Sequence, residues 1–359
     1  MNSRQRVLAA SERQRPDRPA TSMRFTPEAL ELMRLHLGLP KSDNLLYDVL
    51  DELDIDVRWI PLPFIGPEEK ATPVIGGVGT DFWGVKYVRA QTATNVYYEF
   101  SYHPLAQAET VEEIDNYDWP SLDWWDYGAL PELIEQANRR QPRSTFMFVG
   151  GAFESPWYMR GLQQFLMDLY TAPELAEAIC RHVQGYYTAR AERILEAADG
   201  MIDIAFSGGD VGEQRQMLLD PDVWRQRIKP FTAELITPFK NMGLKTAYHS
   251  DGSIVPIIPD LIEIGLDILD PVQPTAAGMS PEELYPQFGR QLSFHGAIDE
   301  VKLLPHATAE EVYAETTRVI DVLGQSGGLI VSASHAVQGD TPPENVVAMV
   351  KAAQDYRWT

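Results

Sequence analysis

The amino-acid sequence predicts an α/β protein, a (β/α)8 TIM-type barrel with an N-terminal helical arm and a small hairpin insertion. Two observations predict this class. From Ser144 onward, apolar runs too short for buried helices alternate with segments of helical periodicity, as in a parallel sheet. The chain also has no GxGxxG sequence after its first predicted strand and no P-loop sequence, which disfavours an open nucleotide-binding sheet.

The part of the chain before Ser144 is less regular. Residues 1–22 are polar and rich in arginine, and we expect them to form an arm next to one barrel domain of residues 23–359. The segment Gly76–Tyr98 alternates apolar and polar residues between glycines, which is typical of an antiparallel hairpin. Helices are predicted at Phe25–Leu37 and Asp43–Leu53.

The apolar runs give seven predicted strands, and we expect the eighth strand of the barrel within Gly76–Tyr98. The predicted strands are Val57–Ile60, Phe146–Val149, Met201–Phe206, Leu244–Tyr248, Leu266–Leu269, Leu292–Phe294 and Leu329–Val331. The predicted helices of this part are Met159–Leu169, Pro173–Ala198, Pro221–Met242, Pro256–Ile264, Pro281–Phe288, Ala309–Leu323 and Pro343–Tyr356.

Composition excludes several classes of protein. A formal net charge of −22 disfavours nucleic acid as a partner, because neutralising phosphates requires clustered lysine and arginine. Cys180 is the single cysteine, so we expect no disulfide framework and no cysteine-rich zinc site. We find neither a signal peptide nor a run of about 18 apolar residues, and we therefore expect a soluble, cytoplasmic protein without membrane contact.

Polar side chains follow each predicted strand, and in a barrel the carboxyl ends of all strands open at one mouth. We expect Glu154, Asp210, His249 and His335 to take part in chemistry there. Asp251 and Ser253 have a second interpretation as caps of the next helix. Asp270 and Asp299 are expected mainly to cap helices or to satisfy the barrel rim. His295 also follows a strand.

Five sequence motifs occur in order along the chain: RQRVLAA with PDR near the start, GDVGEQ at 209–214, HSDGS at 249–253, GAID at 296–299 and GLIVSASHAVQGDTPPENVVAM at 328–349. Together they resemble the motifs of the uroporphyrinogen decarboxylase superfamily. The resemblance extends over nearly the whole chain, and these motifs are specific in combination. It implies a (β/α)8 barrel whose active site lies at the mouth.

The resemblance leaves two enzymatic branches open. Uroporphyrinogen decarboxylases have an RQAGRY segment and an aspartate after the first strand, and this chain has neither. In the branch of corrinoid-dependent methyltransferases, the coenzyme M enzymes have a His-x-Cys motif and a second cysteine late in the chain, at a site where zinc activates a thiol. Here His249-Ser250-Asp251 matches the first motif with Asp in place of Cys, and Ser332–His335 occupies the second. An oxygen and nitrogen site of this kind can still hold zinc and polarise an ether oxygen.

We therefore expect a corrinoid-dependent methyltransferase or O-demethylase component, with porphyrinogen decarboxylation and non-catalytic tetrapyrrole or corrinoid-protein binding as alternatives. The expected partners are a small-molecule substrate, a corrinoid protein as methyl acceptor and a second copy in a homodimer. The decarboxylase alternative needs no cofactor. The expected roles are catalytic for His335, Asp210 and Glu154, metal-binding for His249, Glu154, Asp251 and His335, and substrate-binding for Gln214, Trp157, Tyr158, Tyr248 and Gln273. For Trp157 and Tyr158 a core position is the alternative.

Overall fold

Eight parallel strands form a nearly closed barrel in the computed structural model, which describes residues 1–73, 77–91 and 96–358. The barrel strands are β1 Ala20–Thr21, β2 Val57–Trp59, β6 Ser144–Gly151, β7 Ile204–Gly208, β8 Lys245–His249, β9 Ile268–Val272, β10 Ser293–Ile298 and β11 Leu329–Ala333. A separate antiparallel sheet consists of β3 Gly79–Thr80, β4 Lys86–Gln91 and β5 Val96–Tyr102. The order in the barrel is β1-β11-β10-β9-β8-β7-β6-β2, so the predicted (β/α)8 fold is confirmed.

Most predicted helices are present, and some are interrupted. The helices are α1 Ser3–Ser11, α2 Pro27–His36, α3 Leu45–Glu52, α4 Val111–Asp115, α5 Leu130–Ala137, α6 Glu154–Arg160, α7 Leu162–Thr171, α8 Pro173–Ala198, α9 Pro221–Arg227, α10 Lys229–Asn241, α11 Ile258–Glu263, α12 Pro281–Phe288, α13 Leu303–His306, α14 Ala309–Leu323 and α15 Pro343–Asp355. The helix predicted at Met159–Leu169 is divided between α6 and α7 at Gly161, whose φ of +89° favours glycine.

The eighth barrel strand lies at Ala20–Thr21, and its predicted position within Gly76–Tyr98 is wrong. A strand of two residues is too short to show hydrophobic alternation, and its partner β11 lies more than 300 residues away. The segment Gly76–Tyr98 instead contributes to the antiparallel sheet, as the hairpin prediction requires. Residue 76 and residues 92–95 of that prediction lie outside the described residues.

A buried charge cluster joins the first two barrel strands. The Asp56 backbone N–H donates to the Thr21 carbonyl oxygen at 3.1 Å, and the Asp56 carboxylate accepts from the Thr21 N–H at 2.9 Å. Asp56 is fully buried and forms ion pairs with Arg6 at 2.6 Å and with Arg18 at 2.9 Å. Every partner of this carboxylate is charged or polar, and these contacts compensate for the loss of its hydration. The cluster lies at the point where the barrel closes.

Helix α1 covers the amino-terminal end of the barrel. Its Val7 and Ala10 are fully buried and pack with apolar side chains from β7, β9 and β11. This packing fills one end of the barrel with hydrocarbon. The other end carries the polar residues that follow the strands, and it is the end at which a site can form.

Candidate functional site at the barrel mouth

His249 lies at the end of β8, and two aspartates fix its orientation. Its Nδ1 is 2.5 Å from Asp270 Oδ1, and its Nε2 is 3.5 Å from Asp210 Oδ1. Burial alone would lower the pKa of His249, but the hydrogen bond and charge of Asp270, with the charges of Asp210 and Asp251, raise it to about 9. With Nδ1 held by Asp270, Nε2 is the nitrogen that a metal would bind at the mouth, in exchange for its proton.

Asp270 is shared by two histidines. It is 1% exposed, and its second oxygen accepts a short hydrogen bond from Nδ1 of His295 in β10. Although burial would raise it, the two imidazoles hold the pKa of Asp270 well below its usual range. The expectation that Asp270 mainly caps a helix or satisfies the rim is therefore wrong, because its partners are imidazoles. Asp299 does fit that expectation, since it accepts from the backbone N–H groups of Val301 and Lys302.

Asp210, His249 and Asp251 form a group with metal-ligand geometry. One ligand atom from each lies within 4.8 Å of the other two, and the Asp251 N–H donates to Asp210 Oδ1 at 2.9 Å. Gln273 donates to Asp251 Oδ1 at 3.0 Å and accepts from the Gly252 N–H at 2.8 Å. These contacts, and not helix capping, account for the Asp251 side chain.

This donor set fits a divalent metal such as zinc. It offers one imidazole nitrogen and two carboxylates, and Asp270 is hydrogen-bonded to the other nitrogen of the imidazole, as is usual behind a metal-binding histidine. Burial, followed by the charges of Asp210 and Asp270, raises the pKa of Asp251 to about 7, because carboxylates crowd here. Of the predicted ligands, His249 and Asp251 belong to this group, together with Asp210. Glu154 and His335 are not in it.

Glu154 lies at the start of α6, directly after β6. Its Oε1 accepts from the Tyr158 hydroxyl at 2.8 Å. Burial and the neighbouring Asp210 charge raise the pKa of Glu154 to about 7, so its carboxyl group can hold or release a proton near neutrality. Tyr158 is 4% exposed, and Trp157 packs edge-on against it with ring centroids 4.3 Å apart.

An apolar cavity of about 550 Å³ lies between the barrel mouth and the insertion, and it contains Glu154. Its aromatic walls are Phe64, Phe82, Trp125, Phe148, Tyr158 and Tyr187, and its polar members include Lys70, Glu154, Ser155 and Arg190. A volume of this size accommodates a small organic molecule of one or two rings. The cavity therefore places an ionisable carboxyl group next to a space suited to an aromatic or apolar ligand.

The remaining predicted residues lie in different surroundings. His335 follows β11. Its pKa is lowered by burial and, to a smaller extent, by the positive charges of Arg24 and His249. Gln214 and Gln273 line a smaller cavity of about 220 Å³. Tyr248 is 1% exposed and donates to the Gly209 carbonyl oxygen at 3.2 Å, so it lies in the core.

Sequence reasoning missed the contributions of three residues. His295 follows the predicted strand Leu292–Phe294 and was noted there, but its sharing of Asp270 depends on side-chain distances. Arg24 lies over the Trp59 ring, 5.1 Å from its centroid, and makes no ion pair with the described residues. Arg190 lies within α8 and reaches the aromatic cavity, and a position inside a long helix gives no sequence signal.

The barrel fold of this chain recurs in a solved structure. The chain is similar to a structure described as a methyltransferase from Methanosarcina mazei, with a TM-score of 0.72, 17% identity and 99% of both chains covered, which shows a common fold. A xylose isomerase domain protein from Alicyclobacillus acidocaldarius has a TM-score of 0.34 and 12% identity, over 70% of this chain and 98% of the other. A comparison with curated sequences finds no match.

Two further findings concern membrane-spanning helices and family membership. Within the described ranges, each helix is either too short or too polar to cross a bilayer. The family model described as uroporphyrinogen decarboxylase (URO-D) matches residues 96–356, which is well over half of the chain. The chain therefore belongs to the uroporphyrinogen decarboxylase (URO-D) family.

Proposed function

We propose that this protein is a methyltransferase of the URO-D family that takes a methyl group from a methoxylated small molecule and passes it to a corrinoid carried by a partner protein. The observation that carries this proposal is the Asp210–His249–Asp251 group with Asp270 behind the imidazole. Bound zinc would act as a Lewis acid on the ether oxygen of the methyl donor.

Residues of the chain would orient the metal ligands and supply a proton to the demethylated product. Asp270 holds the Nδ1 proton of His249, which directs Nε2 towards the mouth. Gln273 holds the Asp251 carboxylate in position. Departure of the methyl group leaves negative charge on the donor oxygen, and Glu154, with its raised pKa, would supply the proton that neutralises it. Tyr158 orients the Glu154 carboxyl group.

The test is methyl transfer to cob(I)alamin from a panel of methoxylated aromatic compounds, with and without added zinc. We expect transfer by the unaltered protein and a loss of at least about 100-fold in His249→Ala, because the proposed metal group loses its nitrogen ligand. His182→Ala is the matched control, since His182 lies in α8, stacked on Trp119, and is not part of the proposed metal group. Equal activity in His249→Ala, or no transfer from any donor with zinc present, would refute the proposal.

Porphyrinogen decarboxylation is the second candidate, and one observation favours it. Arg24 is only partly buried and makes no ion pair with the described residues, so its guanidinium group is available to a carboxylated substrate. Release of carbon dioxide from uroporphyrinogen, measured on the same preparation without zinc, distinguishes the two. Carbon dioxide release that is lost in Arg24→Met, without methyl transfer, would establish the second candidate.

A further inference from the structure

Arg190 is a buried cation without a counter-ion among the described residues. It is 6% exposed, lies within α8 and lines the aromatic cavity. Its Nε is buried without a hydrogen-bond partner, and no hydrogen bond joins its guanidinium group to any described residue. Burial lowers the pKa of Arg190, which shows that its surroundings disfavour the charge.

The aromatic rings around Arg190 compensate only part of this cost. Its guanidinium carbon lies 4.5 Å from the centroid of Trp125 and 5.8 Å from that of Tyr187. Cation–π contacts attract the charge but do not satisfy the N–H donors, which point along the guanidinium plane. The donors of Arg190 therefore remain available to a ligand in the cavity.

Other arginines show that pairing is the rule in this protein. Arg58 is fully buried and pairs with Asp51 at 2.5 Å, and Arg160 is 4% exposed and pairs with Asp168 at 2.7 Å. On α8 itself, the more exposed Arg193 pairs with Asp123 at 2.6 Å. Arg190 departs from this pattern at a position that faces a cavity, and this suggests that its counter-ion is a ligand.

We propose that the cavity binds an aromatic carboxylate, with the carboxylate group on the Arg190 guanidinium and the ring between the aromatic walls. Arginine and carboxylate match in two parallel hydrogen bonds, and removal of both charges from water strengthens the pair. A methoxy group on the far side of the ring would then face Glu154, which lines the same cavity. This last part rests on the proposed function, whereas recognition of the carboxylate does not.

The test is a binding measurement with matched probes and no corrinoid. Isothermal titration compares benzoate and 4-methoxybenzoate with the corresponding benzamides, which have nearly the same shape and no charge. We expect the carboxylates to bind the unaltered protein at least about 30-fold more tightly than the amides. Arg190→Met should abolish that preference, and Arg190→Lys should keep part of it because the charge remains.

Arg193→Met is the matched control, since it removes an arginine of the same helix that does not line the cavity. Arg190→Met should fold, because methionine fills the apolar space and removes an uncompensated charge. Its melting temperature without ligand is therefore expected to equal or exceed that of the unaltered protein. Benzoate should raise the melting temperature of the unaltered protein and of Arg193→Met but not that of Arg190→Met.

Two results would overturn the inference. One is equal binding of benzoates and benzamides by the unaltered protein, and the other is an unchanged preference in Arg190→Met. Failure of methyl transfer with intact carboxylate preference would instead refute the proposed reaction and leave the binding site established. Because benzoate carries no methyl group, its binding cannot depend on that reaction.

Discussion

Replacement of Asp270 by asparagine tests whether this carboxylate supports the proposed metal site. Asp270 accepts from Nδ1 of both His249 and His295 and is 1% exposed. Asparagine keeps the shape but has one acceptor, so one imidazole must face an N–H group. Loss of such a hydrogen bond behind a metal-binding histidine weakens metal binding by about 10- to 100-fold. We expect that decrease in zinc affinity for Asp270→Asn.

The same substitution should also destabilise the fold. Removal of one partner from a buried charged group costs about 3 kcal/mol in the free energy of unfolding. For a chain of 359 residues the entropy of unfolding is about 0.75 kcal/mol per kelvin, so the melting temperature should fall by about 4 °C. Zinc titration calorimetry and thermal melting of the same preparation measure both effects.

Asp267→Asn is the control for this experiment. Asp267 is 6% exposed and immediately precedes β9, where it accepts from the Thr246 N–H at 3.1 Å and pairs with Lys240. We expect a comparable loss of stability with a zinc affinity within about 2-fold of the unaltered protein, because Asp267 contacts none of the proposed metal ligands. A zinc affinity of Asp270→Asn within about 3-fold of the unaltered protein would refute the supporting role of Asp270.

Three further predictions concern stability. Asp56→Asn should lower the free energy of unfolding, measured by urea denaturation, by about 3–5 kcal/mol. Asp17 pairs with the same Arg6 at the exposed side of the cluster, and Asp17→Asn should lower it by less than about 1 kcal/mol. Equal losses would contradict this. Burial raises the pKa of Asp81 to about 6, above its unfolded value. The folded state therefore holds this proton more tightly, and stability relative to Asp81→Asn should decrease by ~3 kcal/mol as pH rises from about 4 to about 6; parallel pH profiles would exclude it. Gly252→Ala should cost more than about 2 kcal/mol, because φ is +79° and the new Cβ would lie 2.7 Å from backbone atoms of Glu213; an unchanged urea midpoint would contradict this.

The later strands were predictable because parallel barrel strands are buried on both faces and therefore appear as short apolar runs. The first strand, Ala20–Thr21, was not, because its place depends on its pairing with β11 and on Asp56. A local sequence pattern reveals neither of these two contacts, because both join residues that are distant in the chain. The eighth strand was instead expected in the less regular region between Gly76 and Tyr98.

The convergence of Asp210, His249 and Asp251 followed from the fold, since strand ends meet at one mouth. The part played by Asp270 did not, because an aspartate after a strand is equally consistent with a cap, and only its distances to two imidazoles decide. Arg190 was beyond sequence reasoning for another reason. Whether an arginine within a helix faces solvent or a cavity depends on the packing of the insertion against α8.

The pairing of β1 with β11 has a consequence for biosynthesis. The strand made first cannot find its hydrogen-bonding neighbour until residues 329–333 have been synthesised, so closure of the cylinder is a late step in folding. Until then the backbone groups of β1 that pair with β11 have no partner strand. Truncation before β11 should therefore be far more damaging than the loss of one helix.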